Sequence, residues 1–175
     1  QGNEAKALKR FNKALELEAN DVMALSGYAK ILFDKEDWNT LLNVYNNIIY
    51  NAQEPATAIE AYLVKGFILD AKMSLPDKAA QHYERGLAFD AAQPVALMRL
   101  AELALRKQDW AQARSLAARA LGLEQVETLD SVQANLYLVR AVASSANGDE
   151  AAVSGAVAAA KSADAALGEQ LGADN

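Results

Sequence analysis

Two nearly identical tetrapeptides, Lys-Glu-Asp-Trp at 35–38 and Lys-Gln-Asp-Trp at 107–110, constrain the fold of this chain most strongly. The two tryptophans are 72 positions apart, and the sequence on both sides of each tetrapeptide repeats at the same offset. Apolar residues at helical spacing fill the four flanking segments, which are 22–34, 39–51, 94–106 and 111–123. A tetrapeptide between two helical segments, present twice, predicts recurring helical hairpins.

The repeat can be followed through most of the chain. Two further segments, 4–21 and 77–93, resemble the helix that follows each tetrapeptide. A small or apolar residue marks the same place near the end of all four copies: Ala14, Ile48, Gly86 and Ala120. Successive marks are 34, 38 and 34 positions apart, so the interval of 72 is two hairpins, one of them lengthened by four residues.

The prolines of the chain also favour helices. Each of the three prolines, Pro55, Pro76 and Pro94, precedes a stretch with helical apolar spacing. Proline suits the first turn of a helix, where the N–H group that it lacks would have no partner. Strand signals are weak, because strict alternation is scarce and no Asn-Gly turn lies between β-branched runs. The sequence therefore predicts an all-α protein.

A 34-residue helix–turn–helix unit that ends in a segment such as 13–21, Lys-Ala-Leu-Glu-Leu-Glu-Ala-Asn-Asp, resembles the tetratricopeptide repeat (TPR). That family asks for a large apolar residue, Leu and a small residue in the first helix, and for Ala, an aromatic residue and Ala in the second. The matching residues, first helix then second helix in each unit, are Leu25, Tyr28, Ala29 and Leu32 with Leu41, Tyr45 and Ile48; Tyr62, Gly66 and Leu69 with Ala79, Tyr83 and Gly86; and Leu97, Leu100, Ala101 and Ala104 with Ala113, Ala117 and Ala120. The resemblance covers about residues 3–161.

The resemblance implies an all-α fold, an α-solenoid of stacked helix-turn-helix hairpins that winds into a right-handed superhelix. On this interpretation the whole chain, 1–175, is a single TPR-like array. It begins with a half-unit and ends with a degenerate unit; the successive parts are 3–21, 22–53, 56–93, 94–125 and 128–167. Two features depart from the family pattern: Lys65 falls where Leu is expected, and the last helix is rich in alanine.

The leading half-unit predicts an open surface. Its helix, 4–18, has no partner helix before it, and the chain starts at Gln1 rather than Met. We therefore expect that an upstream part was removed, or that another chain covers the apolar face of this helix. The second alternative allows a homo-oligomer that forms through this helix.

The resemblance also implies where a partner binds. In a TPR stack the first helices of the units line a concave face, which commonly holds a peptide or a partner helix. The positions of this sequence that match that face form the predicted groove: Met23, Ser26, Lys30, Phe33, Leu63, Phe67, Asp70, Met98, Arg99, Glu102, Leu105 and Arg106. Its large apolar residues lie off the face assigned to the core, and an exposed apolar patch usually marks an interaction site. The open alternative is that these residues are part of the core.

The sequence lacks the residues that several kinds of catalytic and metal-binding site require. The sequence has no cysteine and a single histidine, His82, so a thiolate site, a hydrolase triad and a histidine-based metal site are not expected. No phosphate-binding loop or dinucleotide-binding glycine pattern occurs. We therefore expect no catalysis, no metal and no cofactor.

Charge and hydropathy limit the partners and the location. The formal net charge is −6 and no basic stripe occurs, so nucleic-acid binding is not expected. No apolar run approaches the roughly 18 residues of a membrane span, so membrane insertion is not expected either. The location stays unknown: cytoplasmic is favoured, and periplasmic stays open if an upstream signal was removed.

These observations favour a non-catalytic protein–protein interaction module. Such a module would bind a partner peptide or helix through the concave groove and act as an assembly scaffold. Two alternatives stay open: the chain is a self-associating structural scaffold, or it is an accessory repeat domain cut from a larger multidomain protein.

Overall fold

The computed structural model describes residues 21–124, 130–146 and 148–163, together with Lys6, Arg10, Phe11 and Lys13. These described residues form α-helices joined by short turns and contain no strand, which confirms the all-α prediction. The helices are α1 (Val22–Asp34), α2 (Trp38–Asn51), α3 (Pro55–Phe67), α4 (Pro76–Phe89), α5 (Pro94–Arg106), α6 (Trp110–Leu121), α7 (Asp130–Ser145) and α8 (Glu150–Ala163).

The helices group into two compact units, which divide between Phe89 and Asp90. In the first unit α1 packs against α2, α2 against α3, and α3 against α4. In the second unit α5 packs against α6, α6 against α7, and α7 against α8, while α5 also contacts α7. The assignment of the whole chain to a single array stays a prediction. Most of the half-unit 3–21 and both ends of the degenerate unit 128–167 lie outside the described residues.

The two tetrapeptides form the turns of two hairpins, and the turns have the same geometry. Lys35 and Lys107 follow α1 and α5 as C-caps, and the next residues, Glu36 and Gln108, have positive φ angles of 57° and 61°. The N–H group of the aspartate that follows donates to the carbonyl oxygen five residues back, at 3.0 Å in the first turn and 2.9 Å in the second. A left-handed residue followed by this hydrogen bond is a Schellman C-cap.

The same aspartates start the next helix. Each side chain accepts a hydrogen bond from the N–H group three residues on, at 3.2 Å for Asp37 and 3.1 Å for Asp109. The turn before α8 follows the same plan, with Gly148 at a φ of 73° and Asp149 as the N-cap. The tetrapeptide therefore recurs because its residues end one helix, turn the chain, cap the next helix and begin it.

The prolines begin helices, as predicted: Pro55 starts α3, Pro76 starts α4 and Pro94 starts α5. The two helices of the α3–α4 hairpin begin 21 positions apart, whereas those of the two tetrapeptide hairpins begin 16 positions apart. The extra residues lie where α3 continues into a π-helical turn, Ile68–Lys72, and where Ser74 turns the chain with a φ of 55°. The lengthening, predicted as four residues, therefore lies in this hairpin, where it amounts to five positions.

The core of the first unit is formed where α1, α2 and α3 meet. Leu41 and Ile68 are fully buried there. The other buried members of this cluster are Leu25, Ala29, Leu32, Val44, Ile48 and Ala61. Full burial of a Leu or Ile side chain stabilises a folded chain by about 1.5–3 kcal/mol, so this cluster holds the three helices together.

Glycine allows α3 and α4 to approach closely. A Cβ atom added to Gly66 would lie 2.6 Å from Cζ of Tyr83, a separation that real Cβ atoms do not show. A Cβ atom on Gly27 would in the same way overlap the ring of Phe11, so Phe11 packs against α1. Most of the predicted helix 4–18 around Phe11 lies outside the described residues.

The core of the second unit is built largely from small side chains. Among the described residues, those that are fully buried are Ala96, Leu97 and Ala101 on α5, Ala113, Ala117 and Ala120 on α6, Leu136 and Ala143 on α7, and Ala160 on α8. Alanine has no side-chain rotamer freedom to lose on folding. Most of the fully buried residues of this unit are therefore ordered without a loss of side-chain entropy.

Candidate functional site

Four of the predicted groove residues lie together on the solvent side of α1. Met23, Ser26, Lys30 and Phe33 are spaced by three, four and three positions, which places them on one stripe of the helix. Met23 is 83 % exposed and Phe33 is 39 % exposed, although both side chains are large and apolar. We call these four residues the α1 stripe.

The local sequence fixes the direction in which the α1 stripe points. The carboxylate of Asp21 accepts a hydrogen bond from the N–H group of Met23 at 2.9 Å and caps the helix. Leu25, Ala29 and Leu32 are buried in the core of the first unit. The helix therefore cannot rotate to bury the stripe without exposing these three residues to water.

Phe33 belongs to an aromatic contact that joins the stripe to two other elements. Its ring centroid lies 5.4 Å from that of Trp38 at an interplanar angle of 81°, an edge-to-face arrangement. The ammonium nitrogen of Lys72, in the π-helical turn, lies 5.4 Å from the centre of a Trp38 ring. Sequence spacing gives no signal for this group, because its members come from three separate elements. Phe33, Trp38 and Lys72 therefore form one group of contacting side chains.

The groove residues predicted on α3 and its π-helical turn lie partly in the core. Leu63 and Phe67 are half-buried, and Phe67 packs against the apolar core of the first unit. Asp70 lies in the π-helical turn and is also half-buried. These residues offer less free surface than the α1 stripe, and a charged side chain in place of Phe67 would disturb the core that Phe67 contacts.

The groove residues predicted on α5 belong to the second unit, and one of them corrects the prediction. Met98 is only 4 % exposed, so the expectation that it lies off the core is wrong. The reason is that α5 packs against both α6 and α7, and a helix with two neighbours buries a wider face. Arg99 and Glu102 form a salt bridge of 2.9 Å, Leu105 is half-buried and Arg106 is exposed.

The first unit also buries a lysine, at the position where the family pattern expects Leu. Lys65 is 6 % exposed, and its ammonium group donates a hydrogen bond to the side-chain oxygen of Asn46 on α2. Burial lowers the pKa of Lys65, and the guanidinium of Arg85 lowers it further. On α4, burial lowers the pKa of His82 to about 4, with Lys65 and Arg85 as smaller causes. His82 is therefore neutral at pH 7.

The exposed side chains of the α1 stripe offer apolar contact, and the side chains around Lys65 offer positive charge and hydrogen-bond donors. The part of the chain that the structure describes holds no group of three or more His, Asp or Glu side chains that could ligate a metal. Within the same residues, no helix has the length and the apolar character that crossing a bilayer requires.

Solved structures with a similar fold include YrrB, a TPR protein with an unusual peptide-binding site, at a TM-score of 0.69 and 15% identity over 93% of this chain and 79% of YrrB. MamA aligns with a TM-score of 0.70 and 16% identity over 96% of this chain and 92% of MamA. PilF of Pseudomonas aeruginosa aligns with a TM-score of 0.62 and 16% identity over 85% of this chain and 63% of PilF. No protein-family model and no curated protein matches the sequence. The chain thus has the TPR-type fold that its repeat predicts.

Proposed function

We propose that this protein is a non-catalytic interaction module that binds a partner peptide or a partner helix and acts as an assembly scaffold. The α1 stripe is the proposed contact surface, with Met23 and Phe33 as its apolar anchors. The observation that carries the proposal is the exposure of these two side chains on a helix whose other face is buried. Covering a Met or Phe side chain fully is worth roughly 1.5–3 kcal/mol, so a partner that covers both gains affinity.

The geometry of the stripe limits the partner. Met23 and Phe33 are ten positions apart in one helix, which separates them by about 15 Å along its axis. That distance equals about three turns of a partner helix, so the two anchors can contact one continuous face of it. Lys30 and Ser26 lie between the anchors and add one positive charge and one hydroxyl group to the contact.

The side chains of the two anchors differ in rotational freedom, and each suits binding in a different way. Phe33 is held against Trp38, so it has less rotational freedom to lose when a partner covers it. Met23 has an unbranched side chain that adapts to partners of different shape. We therefore expect Phe33 to set the position of the partner and Met23 to tolerate variation in it.

The fold supports the same function. Proteins with the TPR-type fold are generally non-catalytic interaction modules, and YrrB is a TPR protein with an unusual peptide-binding site. At 15% identity the likeness to YrrB extends to the fold alone. The choice of contact surface therefore rests on the residues of α1.

Selection from a random peptide library against the immobilised protein tests the proposal. We expect the selected peptides to carry apolar residues and to bind about tenfold or more weakly to Met23→Asp and Phe33→Lys, as measured by fluorescence anisotropy. An acidic residue near the start of a helix and a basic residue near its end suit the helix dipole, so both variants should fold.

Tyr50→Lys is the matched control, because Tyr50 is 87 % exposed and lies on α2, outside the stripe. This variant should bind the selected peptides as the wild type does, and circular dichroism checks that all three variants keep their helices. Peptides that bind both stripe variants as tightly as the wild type would refute the proposed surface. A failure to select any binder would refute the proposed function.

A further inference from the structure

A buried lysine between α2, α3 and α4 has no negatively charged partner among the described residues. Lysine side chains are almost never fully buried unless they are paired. The described partner of Lys65 is the amide oxygen of Asn46, which carries no charge. Since removal of an ammonium group from water is unfavourable without a nearby anion, the environment of Lys65 lacks a counter-charge.

Two further basic side chains lie beside Lys65 on α4. His82 and Arg85 are three positions apart and therefore lie on one face of that helix. Tyr62 precedes Lys65 by three positions on α3, and its ring centroid lies 6.0 Å from that of His82, so these two helix faces meet. The Nδ1 atom of His82 is buried and forms no hydrogen bond with any described residue.

No carboxylate neutralises this group within the described part of the chain. Glu60 on α3 and Glu84 on α4 are both exposed. Neither forms a salt bridge with one of the three basic side chains among the described residues. The group around Lys65 is therefore positive and has no internal counter-ion.

Two members of the group are exposed to solvent. Asn46 on α2 and Arg85 on α4 are exposed, and Lys65 lies on α3, which packs against both of those helices. The amide oxygen of Asn46 accepts the hydrogen bond from Lys65, which leaves the amide nitrogen as a donor. The ammonium group of Lys65 therefore has an amide bonded to it on one side, and the guanidinium of Arg85 lies near enough to lower its pKa.

We propose that Asn46, Lys65 and Arg85 form a binding site for an oxyanion. The oxyanion is either a free inorganic ion of the sulfate or phosphate type or the carboxylate of an acidic side chain on a protein partner. The Arg85 guanidinium and the Asn46 amide nitrogen bind its oxygens, and Lys65 supplies positive charge behind them. No residue of the α1 stripe takes part, so the site does not depend on the proposed function.

The single histidine of the protein makes the site directly observable. The ring signals of His82 in a nuclear magnetic resonance spectrum are followed at neutral pH while sulfate replaces chloride at constant ionic strength. We expect a saturable shift of these signals. A pH titration with saturating sulfate should also show a pKa of His82 about one unit higher than in chloride, because the bound anion offsets the charges of Lys65 and Arg85.

Variants separate a built site from a general salt effect. Arg85→Gln should weaken sulfate binding about tenfold or more, the effect expected when a hydrogen bond to a charged group is lost. Arg140→Gln is the control: it removes the same charge from an exposed arginine of the second unit. We expect this variant to bind sulfate as the wild type does.

A second titration distinguishes the two sources of the oxyanion. It uses the blocked tripeptide Ala-Glu-Ala, with Ala-Gln-Ala as its uncharged counterpart. A saturable response to Ala-Glu-Ala supports the site with a partner carboxylate as its ligand, and a response to sulfate alone supports it with a free inorganic anion. The proposal is overturned if neither compound gives a saturable response, or if Arg85→Gln responds as the wild type does.

Discussion

Replacement of Gly66 by alanine should destabilise the first unit, although alanine is the better helix former. Gly66 lies in α3 and faces the ring of Tyr83 on α4. An added Cβ atom would lie 2.6 Å from Cζ of that ring, well inside van der Waals contact. The ring has no open space into which it can move, because Tyr83 is fully buried.

Two effects of opposite sign decide how much Gly66→Ala changes the free energy of unfolding. Alanine in a helix interior is favoured over glycine by about 1 kcal/mol. Additional atoms in a well-packed core cost about 1–3 kcal/mol, and here the overlap involves an aromatic ring rather than the end of a flexible side chain. Because a buried ring yields little, the upper half of that range applies, and after subtraction of the helix preference we expect Gly66→Ala to lower the free energy of unfolding by about 1–2 kcal/mol.

The assay is urea unfolding of the first unit, followed by the fluorescence of Trp38. A Trp110→Phe background leaves Trp38 as the only tryptophan. The decisive comparison uses Tyr83→Ala, which removes the ring and should itself cost about 3–5 kcal/mol. In that background Gly66→Ala should instead raise the free energy of unfolding by about 1 kcal/mol, because the helix preference of alanine acts alone.

Gly155 in α8 provides a matched control, because nothing lies within 4 Å of a Cβ atom added there. Gly155→Ala should stabilise the second unit, as measured by circular dichroism during thermal unfolding. The reasoning fails if Gly66→Ala changes the free energy of unfolding in the same direction with and without the Tyr83 ring. The ring would then not be what excludes a side chain at this position.

Three further predictions concern polar groups and the backbone. Asn46→Ala should lower the free energy of unfolding by about 1–3 kcal/mol, because it leaves the buried ammonium group of Lys65 without its hydrogen bond. In a Lys65→Met background the same change should cost far less, and urea unfolding of the four variants checks both statements. The first unit should lose stability as the pH falls from 6.5 towards 4, because the pKa of His82 is about 4 in the folded chain and near 6.5 in the unfolded chain, which therefore binds the proton first. The full pKa difference corresponds to roughly 3 kcal/mol, and solvent screening of the half-buried ring reduces the loss to about 1–2 kcal/mol. An equal pH dependence in His82→Gln would contradict this assignment. Gln108→Gly should raise the free energy of unfolding of the second unit by about 0.5–1 kcal/mol, because glycine adopts a positive φ without strain. Ala118→Gly, in the last turn of α6, should lower the same free energy; thermal unfolding of both variants is the measurement.

The helices and hairpins could be predicted from the sequence because their signals act over short distances. A proline at Pro55, Pro76 or Pro94 fixes the first turn of a helix through its own ring. An aspartate such as Asp37 or Asp109 satisfies a backbone N–H group three residues away. Neither effect depends on residues elsewhere in the chain, so each can be inferred from a few neighbouring letters.

The surface was harder to predict, because the exposure of a side chain depends on which face of its helix the neighbouring elements cover. The same spacing argument places Met23 on α1 and Met98 on α5, yet the first side chain is exposed and the second is buried. Lys65 departs visibly from the family pattern, but its partner Asn46 lies on another helix, 19 positions away. The contact of Phe33 with Trp38 and Lys72 likewise follows from the meeting of three elements rather than from a motif.

The turn shared by the two tetrapeptides has a consequence for how such a chain changes over generations. Its hydrogen bonds join residues no more than five positions apart, so it closes with little loss of chain entropy and without help from distant segments. A duplicated gene segment that carries this turn therefore encodes all the residues that the turn needs in order to form. The number of hairpins can then grow or shrink by copying, while selection works on the side chains through which adjacent copies meet.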